Sequence, residues 1–287
     1  MRGEARLFAL ATSEKVPDLT DDDRLLVDAL AASGVRSEPA IWNHDALNWD
    51  KYSAVVIRST WDYHLRLDEF LAWLDRLESL DLKVFNSPAL VRWNAEKGYL
   101  RDLADRGVAI VPTRWVERGE RTSLADILRE TEWREVVVKP SVSASAHQTW
   151  RMSADDAGAR EEEFASMVEN GRVLVQPFLE AIQTEGEWSL LFYGGEYSHA
   201  VLKRPRQDDF RVQSTHGGTA DVMEPSSDIV AQAHGVLEAA GQASHYARVD
   251  GCVVDGRFVL MELELIEPDL FLRAHPAAPK RLAAALL

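Results

Sequence analysis

The chain has 287 residues, 46% of them hydrophobic, more than one small core fills, so two or three packed units are expected. Its 47 acidic residues against 32 basic ones leave a formal net charge of −15, which argues against nucleic acid as a partner, because binding to a phosphate backbone runs on clustered Lys and Arg. The single cysteine, Cys252, excludes an intrachain disulfide and a cysteine metal cage; no segment nears the roughly 20 apolar residues that cross a bilayer, so a soluble, cytoplasmic chain with no membrane partner is expected.

Leu7 to Ala11 is a short apolar run that reads as a first strand, too poorly flanked for a signal peptide. Thr20 followed by Asp21, Asp22 and Asp23 has the form of a helix N-cap with acids in the first turn, and Leu25, Leu26, Ala29 and Leu30 follow at helical spacing. Val35 to Trp42 and Ala54 to Ile57 supply further strands. Asp68 to Leu80 is an amphipathic helix with Phe70, Leu71, Leu74 and Leu77 on its inner face, and Val84-Phe85 closes the unit. This alternation predicts an open, mainly parallel sheet over residues 1–92. Ligands of such sheets bind beyond the carboxyl ends of the strands, where Arg58-Ser59-Thr60-Trp61-Asp62-Tyr63 lies.

A second unit, 93–175, holds a helix from Glu96 to Arg106, a strand near Ala109 to Pro112 and the apolar strand Val136-Val137-Val138 ending in Lys139-Pro140. Ser141 to Thr149 has loop composition. Arg172 to Gln176 resumes a strand that Pro177-Phe178 interrupts. A third unit, 176–287, contains strands at Trp188 to Tyr193 and Tyr197 to Leu202 around a Gly194-Gly195 turn, a helix from Asp228 to Ala240, and a hairpin from Tyr246 to Pro268.

The hairpin carries the strongest chemical signal. Strand alternation puts Glu262 and Glu264 on one face, with Val259, Met261, Leu263 and Leu265 on the other. Neighbouring carboxylates repel unless a cation sits between them, and hard oxygen ligands suit Mg²⁺ held against substrate phosphates. With a strict two-residue turn at Asp255-Gly256, Asp250 pairs with Met261 and points away from Glu262. A three-residue loop, or a bulge at Gly251, brings Asp250 opposite Glu262. An isolated E-x-E is more often an ordinary surface strand, so the rest of the chain decides between the two.

The common fingerprints are absent: the chain has no G-x-x-x-x-G-K-[ST] loop, no G-x-G-x-x-G after its first strand and no H-E-x-x-H, and no nucleophile elbow supports a serine triad. An ordered set stands out instead. It runs through Asn86-Ser-Pro with Asn94-Ala-Glu-Lys97, Val136-Val-Val-Lys139-Pro, Val173-Leu-Val-Gln176-Pro-Phe-Leu, Phe210-Arg211 to Gly217-Gly218, Arg248-Val-Asp250 and Met261-Glu262-Leu-Glu264. This collinear set resembles the ATP-grasp superfamily of carboxylate-amine ligases, in the branch of prokaryotic glutathione synthetases and ribosomal-protein glutamate ligases. R-S-T-W-D-Y, K-P-S-V-S-A-S-A and E-G-E-W-S are similar to the cyclo-ligases that close O-ureido-serine to cycloserine.

The resemblance implies an α/β ATP-grasp fold: an N-terminal open parallel-sheet domain over 1–92, a lid subdomain over 93–175, and a C-terminal subdomain over 176–287, enclosing an ATP cleft. It implies ATP and Mg²⁺ as cofactors, two ions with Mn²⁺ as an alternative, and an amino-acid-like small molecule as substrate. A homo-oligomer is left open. Lys97 and Lys139 become the phosphate-reaching lysines, Ser143 and Ser145 the cradle in a loop lacking the family's glycines, and Gln176, Pro177, Phe178 and Leu179 the adenine hinge. Arg211 and Arg204, with Lys139, are the groups that stabilise charge on the transferred phosphoryl. Asp250, Glu262 and Glu264 become metal ligands, Glu264 standing where the family has Asn. Arg58, Ser59, Trp61, Asp62 and Glu187 are the substrate candidates, Arg58 for a carboxylate and Asp62 for an amine. The implied activity is an ADP-forming carbon–nitrogen ligase acting through an acyl phosphate, with intramolecular ring closure its sharpest version. An intermolecular amino-acid or peptide ligase and a non-catalytic nucleotide-binding regulatory module are the alternatives.

Overall fold

The computed structural model describes residues 6–144, 146–206, 211–212 and 217–287, and these form three sheets taken from successive stretches of the chain. The first joins β1 (Leu7–Thr12), β2 (Arg36–Ile41), β3 (Ala54–Ser59) and β4 (Lys83–Phe85) in the order β2-β1-β3-β4, every pair parallel, as the strand–helix rhythm predicts. Alternate residues divide between two cores. Phe8, Leu10, Val56 and Phe85 pack with Leu26 and Leu30 of the helix Asp21–Ala32, while Ala9, Val55 and Ile57 pack with Phe70, Leu74 and Leu77 of the helix Leu67–Ser79. Thr20 caps the first of these helices by accepting from the Asp23 N–H. In the second helix Leu71 stays half-buried, and Trp73 takes the inward place beside Leu74.

The second sheet is antiparallel, β5 (Arg114–Val116), β6 (Glu135–Pro140), β7 (Trp150–Ser153) and β8 (Val173–Pro177), in the order β5-β8-β6-β7. The third is also antiparallel: β9 (Glu187–Tyr193), β10 (Glu196–Arg204), β11 (Thr219–Val222), β12 (Tyr246–Val254) and β13 (Arg257–Glu264), ordered β11-β10-β9-β12-β13. The helix after residue 93 is shorter than expected, Tyr99–Asp105, and its Tyr99, Leu100 and Leu103 pack into the core of the third sheet with the helix Ser227–Ala240, where Leu174 of β8 joins them. The strand expected near Ala109 reduces to one bridge, Ile110 to Leu260. That bridge and two side chains cover the outer edge of β13. Asn94 donates to the Leu263 carbonyl at 2.8 Å and accepts from the Leu265 N–H at 2.9 Å, while the Tyr99 hydroxyl accepts from the Leu263 N–H at 3.1 Å.

The first and third sheets are joined by buried polar groups. Asn86 donates to the carbonyls of Tyr246 and Leu265 at 2.8 and 2.7 Å, and the Tyr246 hydroxyl lies 3.0 Å from the carbonyls of both Ile57 and Ile266. Arg58, 2% exposed, donates to Asp23 Oδ1 at 2.8 Å and to the Pro268 carbonyl at 2.8 Å, and Ser59 donates to the other oxygen of Asp23. Every such bond satisfies a group that would otherwise be buried unpaired. Together they fix the chain that leaves β13.

The hairpin resolves the register question in a way the alternation does not foresee. Val254 pairs with Arg257, so Asp255-Gly256 is a two-residue turn, yet Asp250 faces Glu262 because Gly251 pairs with Leu260 and Met261 is left over. The extra residue therefore lies in β13, opposite the Asp250–Gly251 step. This corrects the expected apolar layer: the parity change at Met261 puts Phe258 and Leu260 in the same core as Leu263 and Leu265, and Val259 is not among them. Gly251 makes the bulge possible, since a Cβ there would sit 2.5 Å from the Phe258 ring and 2.5 Å from the Val259 carbonyl oxygen. Gly251→Ala should cost roughly 1–3 kcal/mol by overpacking. A urea unfolding midpoint unchanged from the parent would contradict this.

Candidate active site

The register of the third sheet builds one charged face. Lys203 of β10 pairs with Glu187 of β9; two residues along β9, Ser189 pairs with Asp250 of β12, which pairs in turn with Glu262 of β13. Residues paired across strands, or two apart along one, share a face, so these five side chains point the same way. They meet Lys97, which follows the helix Pro88–Asn94, and Lys139 at the end of β6. A cavity of about 340 Å³ lies between them, within the range of small-ligand sites.

Ion pairs organise its floor. Lys97 Nζ is 3.0 Å from Glu262 Oε1 and donates to the Ser143 carbonyl at 2.9 Å and to its hydroxyl at 3.2 Å. Lys203 Nζ is 2.5 Å from Glu187 Oε1 and 3.4 Å from Asp250 Oδ1. Arg248 spans two acids, donating to Asp250 Oδ2 at 2.9 Å and also to Glu264. Asp250 also accepts from the Ser189 hydroxyl. Gly186 lets the chain turn into this face at φ +109°, where a Cβ would meet the Lys203 carbonyl oxygen at 2.7 Å.

The electrostatics follow from crowding in a water-poor place. Burial raises the Asp250 and Glu262 carboxyls, but Arg248 with Lys203, and Lys97 with Lys139, overcome it and hold both below the ordinary range. Glu264 goes the other way. Burial lifts it well above a normal carboxylate, and Glu262, Asp250 and Glu267 add to the rise against Arg248. Burial pushes the Lys139 ammonium down to about 8, Lys97 adding to the shift and Glu262 and Glu187 opposing it.

Of the residues singled out from the sequence, the cavity wall gathers Trp61, Lys97, Lys139, Ser143, Gln176, Pro177, Leu179, Glu187, Arg211, Asp250, Glu262 and Glu264. Others are placed elsewhere. Arg58 and Ser59 are spent on Asp23, Asp62 accepts from the Trp42 indole at 2.9 Å, and none of the three, all expected at the substrate, lines the cavity. Arg204 is exposed and paired with Asp221 at 3.2 Å, outside the cavity. Phe178 turns from the cavity into a buried cluster, with the Arg151 guanidinium over its ring. Ser145 lies outside the described residues.

Sequence reasoning missed Lys203 and Arg248. Lys203 reads as one of a basic run with Arg204 and Arg206, but strand alternation sends neighbours to opposite faces, and that signal separates the inward Lys203 from the outward Arg204. Arg248 lies two residues before Asp250 on the same strand, and the same rule places it on the acid face.

Carboxylate oxygens are the donor type Mg²⁺ takes, and Asp250, Glu262 and Glu264 bring them to one cavity. Among the described residues no three Asp, Glu, His or Cys side chains converge into a ready-made metal cage, because Lys97 and Arg248 hold the acids apart. A Mg²⁺ ion fits such a set without a cage, since it is ordinarily held by one or two carboxylates together with substrate phosphates.

Comparison with known proteins agrees over nearly the whole chain. Residues 8–86 match the family model of the D-cycloserine synthetase DcsG N-terminal domain. The cycloserine biosynthesis protein DcsG of Streptomyces lavendulae is 32% identical over 295 residues, covering 98% of this chain and 97% of the relative. The crystal structure of D-cycloserine synthetase DcsG superposes with a TM-score of 0.88 at 30% identity, over 98% of both chains. The ATP-grasp ligase PsnB, in complex with a minimal precursor, shares the fold at a TM-score of 0.67 and 17% identity over 99% of both chains.

Proposed function

Since this chain belongs to the ATP-grasp ligases, in the group of the cycloserine synthetase DcsG, and is an ATP-dependent, ADP-forming carbon–nitrogen ligase, we propose that it activates an amino-acid carboxylate as an acyl phosphate and closes it onto a nitrogen of the same molecule. The observation that supports this reading most is the convergence of Lys97, Lys139 and Lys203 with Asp250, Glu262 and Glu264 around one cavity.

In this reading Gln176, Pro177, Leu179 and Met261 wall the adenine end, and Lys97, Lys139 and Arg211 neutralise phosphate oxygens. Asp250, Glu262 and Glu264 would hold Mg²⁺, as two ions or with Mn²⁺ in its place, which supplies charge neutralisation on the transferring phosphoryl. Lys203, taken from its pairing with Glu187 and Asp250, steadies the charge that builds as the substrate carboxylate attacks the γ-phosphorus and ADP leaves. The nitrogen then attacks the activated carbonyl, an amide bond forms, and inorganic phosphate departs with the electron pair of the broken C–O bond and takes up the proton the nitrogen gives up. Excluding water from the cavity protects the acyl phosphate from hydrolysis.

Incubation with ATP, Mg²⁺, a panel of amino acids and hydroxylamine tests the activation step. Hydroxamate and ADP appearing together are expected; ADP without hydroxamate for every carboxylate would refute the acyl phosphate. A pH dependence follows from Lys139. An ammonium that titrates near 8 is charged below that pH, so its attraction for ATP is present there and is lost as pH rises through about 8. The KM for ATP should rise between pH 7 and 9.5, and Lys139→Arg should flatten the profile because a guanidinium stays charged throughout. A flat profile in the parent enzyme would remove Lys139 from the phosphate site.

A further inference from the structure

We propose that Glu267 is the carboxylate that anchors the ammonium group of the amino-acid substrate, confining the ligase to substrates with a free amino group. The inference rests on the ligase reading above and replaces the amine partner expected at Asp62, which is taken by Trp42.

The acids on the sheet face each have a cation: Glu262 has Lys97, Glu187 has Lys203, and Asp250 and Glu264 share Arg248. Glu267 is only 7% exposed and lines the same cavity, yet among the described residues it makes no ion pair. Its carboxylate accepts from its own backbone N–H but has no cation; a carboxylate taken out of water without a counter-charge is costly, and a ligand that brings the positive charge offsets that cost. The position is rigid. The Trp61 indole donates to the Glu267 carbonyl at 3.1 Å, and Arg58 donates to the carbonyl of the next residue, Pro268, at 2.8 Å. Arg58 and Ser59 therefore serve the substrate end indirectly, as positioning residues.

The surroundings select an ammonium. Glu262 on β13 adds negative potential, Lys97 and Arg248 are tied to Glu262 and Glu264, and Trp61 and Tyr63, whose aromatic rings attract cations, line the cavity. Burial, with Glu262 adding, lifts the Glu267 carboxyl to about 7 against a hydrogen bond from its own backbone N–H and the charges of Arg248 and Lys97. The cavity thus offers lysines for phosphate and carboxylate together with one acid that has no ion-pair partner among the described residues.

The test compares the parent enzyme with Glu267→Gln. Serine, alanine and O-ureido-serine of both hands are assayed with ATP and Mg²⁺ for ADP release, each beside its N-acetyl derivative. The variant should raise the KM of the best amino acid at least tenfold with the KM for ATP within twofold, which also shows that it is folded. The parent should reject the acetylated form by tenfold or more, and the variant should lose most of that discrimination. An unchanged amino-acid KM, equal discrimination by both enzymes, or a raised Mg²⁺ requirement as the sole effect overturns the assignment while leaving the ligase reading intact. A parent that releases no ADP with any of these amino acids overturns both.

Discussion

Glu262→Gln should reduce ADP formation by about a thousandfold or more while leaving the fold in place. Glu262 lies opposite Asp250 across the hairpin, shares Lys97 with the Ser143 backbone and opens into the cavity, its side chain one-third exposed. The amide keeps shape and volume but removes the negative charge from a group that the neighbouring lysines hold ionised, below the ordinary carboxylate range. A loss of this size is about 4 kcal/mol of transition-state stabilisation. Single-turnover ADP release, read beside a thermal melt, separates the chemical loss from unfolding. Turnover within tenfold of the parent would show that Glu262 is not a ligand of the catalytic ion.

Arg58→Ala should act on stability instead. Arg58 and Asp23 are both almost wholly buried and paired at 2.8 Å, and removing one partner strands the other charge. Breaking such a pair costs about 3–5 kcal/mol, whereas replacing both charges by apolar groups of similar volume is often neutral. The single variant should therefore lose much of its urea resistance, and Arg58→Met with Asp23→Leu should recover most of it. A variant with parental stability and a selectively raised amino-acid KM would restore Arg58 as a direct substrate contact.

The parallel first sheet was legible because its helices and strands differ in hydrophobic period, and the lysine and acid set was legible because its members come in order along the chain. Other features escaped for identifiable reasons. Arg58 sits at a strand end facing a ligand site, but Asp23, 35 residues away, meets it only through the fold. Lys203 was hidden in a basic run, although strand parity alone divides it from Arg204. Glu267 lies just past the last residue of β13, where alternation ceases to say which way a side chain points. Its isolation is visible only once the partners of the neighbouring acids are known. The bulge at Met261 escaped because residue types do not mark which strand of a hairpin holds a surplus residue; only a surplus in β13 brings Asp250 opposite Glu262, since one in β12 pairs it with Leu260.

The sealed margin of β13 limits how copies of this enzyme associate. With Asn94, Tyr99 and Ile110 occupying the backbone groups along that rim, the open edge of the acid-bearing sheet among the described residues is β11, where Thr219 to Val222 are exposed. Strand addition to this sheet therefore grows from β11, away from the carboxylates of β12 and β13, and leaves them outside the seam.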